Sequence, residues 1–147
     1  MPGDETPTDG LLTVAGRPAV RVERRFAHPI EKVWRAVTTP EHLGAWFPSP
    51  VQVDLRPGGA MRFSAFDGDA AADGTVEELD PPRRLAFTWG IKADSNDSSR
   101  VVIAIARRDQ GTDLTLTHEL HPDWADYAAR TEAGWTTMLD ALAKALG

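Results

Sequence analysis

Apolar residues recur every three or four positions in the last stretch, His121 to Leu146, and every second position through much of what precedes it. Trp124, Tyr127, Ala128, Thr131, Trp135, Met138, Leu139, Leu142 and Leu146 fall on one helical face, with Asp126, Arg130, Glu132, Asp140 and Lys144 opposite. Pro122 suits a first helical position, where a missing N–H costs nothing, and Asp123, Asp126 and Lys144 complement the helix dipole. Trp124 and Trp135 make the stripe wide, so this helix must lie on a broad apolar surface or line a cavity. Gly134, beside Trp135, is expected to bring the helix close to a neighbouring backbone. A larger residue there should push helix and sheet apart.

Residues 1–10 are polar and punctuated by Pro and Gly, and read as a disordered lead-in to a single domain over residues 11–147. Leu11 to Ala15 suits a short strand, turned by Gly16-Arg17-Pro18 into a second strand from Ala19 to Phe26. There Val20, Val22 and Phe26 alternate with Arg21, Glu23 and Arg25. A helix opened by Pro29 buries Ile30, Val33, Trp34 and Val37. A second short helix, N-capped by Thr39, runs to about Trp46 before Pro48 and Pro50 stop it.

From Val51 the period becomes two. Strands are expected over Val51 to Leu55, Met61 to Phe66, Gly74 to Leu79, Leu85 to Trp89, Arg100 to Arg107 and Asp113 to Leu120. Turns fall at Pro57-Gly58-Gly59, Asp67 to Asp69, Asp80-Pro81-Pro82 and Asp109-Gln110-Gly111, with a polar loop from Ala93 to Ser99. Gly58-Gly59 allows backbone angles that a side chain would forbid. Tight turns between successive strands imply an antiparallel sheet with one wet face. The last helix is the element long enough to cover the dry face. The expected class is α+β: a curved antiparallel sheet wrapped around a long C-terminal helix, with two short helices after the first strand.

Composition narrows the partners. A net charge of −6 argues against nucleic acid and against an anionic membrane surface. No apolar run approaches the roughly 20 residues of a membrane span. The chain has no cysteine, which excludes a disulfide framework, a thiol nucleophile and a cysteine-ligated zinc. The opening residues do not read as a signal peptide, so a cytoplasmic protein is expected.

Strand alternation turns Phe63, Leu85, Phe87, Trp89, Ile103, Leu116 and His118 towards the helix, which offers Trp135, Met138 and Leu139 in return. A buried imidazole at His118 could bind a ligand or move a proton, or it could be structural, bonded to a neighbour. His118, His121 and Asp123 straddle a strand-to-helix junction, so neither a metal nor a cofactor is expected. Arg62 and Arg83-Arg84 could hold an anion, or be ordinary solvated arginines. Glu77 and Glu78 are adjacent on a strand and should point to opposite faces, so proximity alone does not make them a catalytic pair. Nucleophile-elbow, phosphate-loop, dinucleotide and zinc-protease motifs are absent from the sequence.

Six segments then carry a resemblance: "HPIEKVW" from His28, "TPEHLGAWF" from Thr39, "RPGGAMRF" from Arg56, "GTVEELDPPRRLAFTW" from Gly74, "TDLTLTH" from Thr112 and "GWTTMLDAL" from Gly134. In this order, and over nearly all of residues 19–146, they resemble the START/Bet v 1-like (SRPBCC) superfamily, the helix-grip fold. Within it the chain is most similar to the branch named for the activator of the heat-shock protein 90 ATPase. The resemblance implies a cavity between sheet and helix, walled by the ten inward residues, for a small apolar or amphipathic molecule. It implies a binding protein without catalytic residues, monomeric or homodimeric. Its alternatives are a chaperone-associated protein acting through the surface around Trp46-Phe47, a cyclase/aromatase-like enzyme using His118, and a natural-product resistance protein.

Overall fold

Among the described residues, the period-two stretches form eight strands and the amphipathic stretches two helices. They are β1 (Gly10–Val14), β2 (Arg17–Phe26), α1 (Ile30–Thr38), β3 (Val51–Val53), β4 (Ala60–Ser64), β5 (Ala71–Asp80), β6 (Arg84–Ile91), β7 (Ser99–Arg108), β8 (Gly111–Glu119) and α2 (Ala128–Leu146). This computed structural model describes residues 10–14, 17–39, 51–64, 71–91, 99–120 and 128–147. Residues 1–9 of the predicted lead-in, the predicted second short helix from Pro40 on, the turn at Asp67 to Asp69, residues 92–98 and residues 121–127 lie outside the described residues, while Gly10 belongs to β1.

All neighbouring strands are antiparallel, in the order β1-β2-β8-β7-β6-β5-β4-β3. The join that does not follow the sequence is β2 on β8, which returns the N-terminal hairpin to the last strand. Cross-strand register then assembles two rows on one face. One runs Val76, Phe87, Val101, His118, Val20; the other runs Leu79, Leu85, Ile103, Leu116, Val22.

The buried face of α2, with Trp135, Leu139, Leu142 and Leu146, joins these rows in one apolar cluster, while Asp140 and Lys144 face water. Each fully buried aliphatic or aromatic side chain here is worth about 1.5–3 kcal/mol. This is the curved α+β sheet gripping its terminal helix that the sequence predicts. No helix among the described residues is long and apolar enough to cross a membrane.

The joints differ from expectation in physically simple ways. Pro29 sits one position earlier than predicted, as the extended N-cap of α1, and its carbonyl accepts from Lys32 N–H and Val33 N–H at 3.0 and 3.2 Å. The fixed proline φ suits an extended cap as well as a first turn. Thr39 is the C-cap of α1, its N–H bonded to Arg35 O at 3.0 Å. Arg17 and Pro18, predicted as part of a turn, belong to β2, paired with Val14 and Thr13. Pro18 joins the sheet through its carbonyl, which accepts the Leu120 N–H at 2.8 Å.

Gly58 has φ +85°, and a Cβ on Gly59 would lie 1.9 Å from Asp54 O, so this turn does require both glycines. Gly134 contradicts its prediction: a Cβ there would meet nothing within 4 Å. One residue along a helix is a rotation of about 100°, which carries Gly134 off the buried stripe of Trp135 and into solvent.

At the far end of the core, His28 Nε2 reaches Gly147 O at 3.0 Å and Lys32 Nζ donates to Leu146 O at 2.7 Å. Donors at the negative end of α2 satisfy its last carbonyls and tie it to the start of α1.

Candidate functional site

Along β8, burial alternates strictly, and His118 falls on the buried side with Leu114 and Leu116. Register sets it between Val101 and Val20, in the middle of an apolar row. A polar group so placed must find a partner. Trp135 supplies one from α2: its Nε1–H donates to His118 Nδ1 at 3.0 Å, the rings edge-on at 78° with centroids 5.9 Å apart. Because Nδ1 accepts this bond, the imidazole proton is on Nε2. Burial pushes the His118 pKa down to about 4, so the ring is neutral at ordinary pH. Protonation of Nδ1 would also break the indole bond. His118 is therefore a fixed neutral ring and not a base poised near pH 7.

Leu85, Phe87, Ile103, Leu116, Trp135 and Leu139 are brought together with His118, all of them buried, and Met138 packs half-buried against the same cluster. Phe63 pairs with Val51 and Ala72, and Trp89 pairs with Ser99, so both are positioned by backbone register. Val20, Val76, Val101 and Met61 are also buried, in addition to the expected wall residues. Strand alternation carries their signal; what it lacks is the register that sets Val20, Val76 and Val101 in His118's row. His121, Asp123, Trp46 and Phe47 lie outside the described residues.

The opposite face overturns the expectation for Glu77 and Glu78. Register shifts between Val76, opposite Phe87, and Glu78, opposite Ala86, so Glu77 is an extra residue in β5. A β-bulge breaks strict alternation, and both carboxylates converge on Arg100. Arg100 Nε donates to Glu77 at 2.7 Å, Nη2 to Glu78 at 2.6 Å and Nη1 to Glu119 at 3.5 Å. Arg84 Nε adds a bond to Glu78 at 2.7 Å. The hydrogen bond from Arg84, with the charge of Arg100 beside it, holds the Glu78 carboxyl below its usual range. These carboxylates are close but matched by guanidinium groups, which suits an ionic lattice across four strands and not a proton-transfer pair. Of the other arginines singled out, Arg83 binds Asp80 at 3.1 Å, and Arg62 pairs with Gln52 and Asp73 through the backbone.

Comparison with known proteins agrees with this architecture. The family model described as Activator of Hsp90 ATPase homolog 1-like protein matches residues 27–147. No curated protein matches significantly. Among solved structures, CalU16 from Micromonospora echinospora is 27% identical, covering 94% of this chain and 83% of its own, with a TM-score of 0.75. CV1439 from Chromobacterium violaceum is 31% identical, covering 87% of this chain and 96% of its own, with a TM-score of 0.74. DynU16, a protein in the dynemicin biosynthetic locus, is 25% identical with a TM-score of 0.76; 87% of this chain aligns, over 46% of DynU16. This chain therefore belongs to the Activator of Hsp90 ATPase homolog 1-like family, a branch of the SRPBCC-type helix-grip fold.

Proposed function

We propose that this protein binds one small apolar or amphipathic molecule between the sheet and α2. The observation that carries this reading is the covered face itself. It is a continuous apolar floor that carries a polar pair, His118 and Trp135, joined by a hydrogen bond. Binding sites for small molecules are mostly apolar with a few fixed polar groups. Met138, half-buried against the packed rows, is the residue expected to open or close around a guest. The likeness to a protein of the dynemicin biosynthetic locus supports a biosynthetic small molecule as the ligand class. The neutral state of His118, with Nδ1 committed to Trp135, favours binding over a cyclase-like proton transfer.

Titration with anilinonaphthalene sulfonate tests the reading. Saturable one-to-one enhancement is expected, weakened by about tenfold in Met138→Trp, which fills the margin while circular dichroism stays unchanged. Absence of saturable enhancement, or equal affinity in the folded variant, would refute it.

A further inference from the structure

On the wet face, at the end of the sheet remote from Arg100, the described residues enclose an open groove of about 500 Å³ between β2 and the β7–β8 hairpin. Register places Arg25 directly opposite Asp113 and Glu23 opposite Thr115. Arg108 closes the hairpin opposite Gly111, two residues from Asp113. Asp113 holds both arginines, Arg25 Nε on Oδ1 at 3.1 Å and Arg108 Nη1 on Oδ2 at 3.3 Å. Arg24 also lines the groove, and its Nη1 donates to Glu23 O at 2.6 Å.

The guanidinium groups of Arg25 and Arg108 thus meet in a groove that Glu23 and Asp113 also line. One carboxylate fixes two planar forks side by side. Both Nη groups of Arg25, and the Nε and Nη2 of Arg108, have no partner among the described residues. The side chains remain 61% and 57% exposed, so those donors are open to solvent. Paired, pre-oriented guanidinium forks match the geometry of a phosphate or carboxylate, and lysine could not substitute for them. The groove is also far larger than an inorganic ion, and within the size range of small-molecule sites.

We infer that this groove is a second binding site, taking the oxyanion end of a small organic molecule between Arg25 and Arg108. It is separate from the helix-covered interior, because Arg25, Arg108 and Asp113 lie on the opposite face of the sheet. Asp113 acts as the positioning residue, and Arg25 and Arg108 as the contacts.

Phenyl phosphate and benzoate, titrated at constant ionic strength and followed by amide NMR, test this and distinguish the two oxyanions. The expected result with at least one of them is a saturable shift confined to residues 23–25, 108 and 113–115. Arg25→Gln and Arg108→Gln should each weaken it about tenfold, and Arg56→Gln, an arginine paired with Asp54 on another hairpin, should leave it unchanged. Non-saturable shifts with both probes, or affinity unchanged in both groove variants, would overturn the assignment. The unsubstituted protein alone decides the first of these outcomes, so the test survives a variant that folds poorly.

Discussion

His118 and Glu119 are neighbours in β8 and meet opposite surroundings. His118 faces the covered side, neutral, its Nδ1 taken by one indole N–H. Glu119 faces the wet side, charged, sharing Arg100 with Glu77 and Glu78. The difference follows from what each side can solvate. An ionised group under α2 would lose its water, whereas the Glu119 carboxylate, 16% exposed, lies against an Arg100 guanidinium that two further carboxylates share. The dry face therefore fixes the position of α2, and the wet face tunes the surface.

If that contrast is right, the largest effects come from the dry side. Leu139→Ala, at a fully buried helix position, should cost about 2–5 kcal/mol in urea unfolding. Trp135→Phe should cost about 1–3 kcal/mol for the orphaned His118 acceptor, before any loss of packing. Combining it with His118→Leu should recover part of that cost, since replacing both partners by apolar groups leaves nothing unsatisfied.

The same pair predicts a pH response. Folding lowers the His118 pKa from 6.5 to about 4, so between these values the unfolded chain binds the extra proton and stability rises with pH. Moving from about pH 7 to about pH 5 should cost about 2 kcal/mol through His118 alone. The His118→Gln variant should lose that part of the slope, read from denaturant midpoints at the two pH values. Smallest is the wet face. Arg100→Gln should cost about 1 kcal/mol or less, and the deficit should shrink in high salt.

Much of the architecture is legible in local pattern. Alternation alone turns Leu116 and His118 inward, and the three-four spacing of Trp135, Leu139 and Leu142 marks the covered face of α2. Local pattern fails where a partner from another element decides the outcome. The bond between His118 and Trp135 depends on how the helix is seated on the sheet, which spacing does not encode. Glu77 and Glu78 share a face because β5 carries one more residue than its partner at that point, and no residue in that run announces a bulge. Arg25 and Asp113 meet across 88 residues of chain only because β2 returns to β8. Gly134 was misread for a different reason: its neighbour Trp135 is buried, but adjacent helical residues do not share a face.

Native mass spectrometry of freshly purified protein, before and after incubation with a set of apolar and amphipathic small molecules, tests the central claim most directly. The account predicts one added mass per chain, retained under gentle ionisation and lost in Met138→Trp. A bare chain mass throughout, with no member of the set raising the melting temperature, would leave the helix-grip architecture standing and remove binding under α2 as its function.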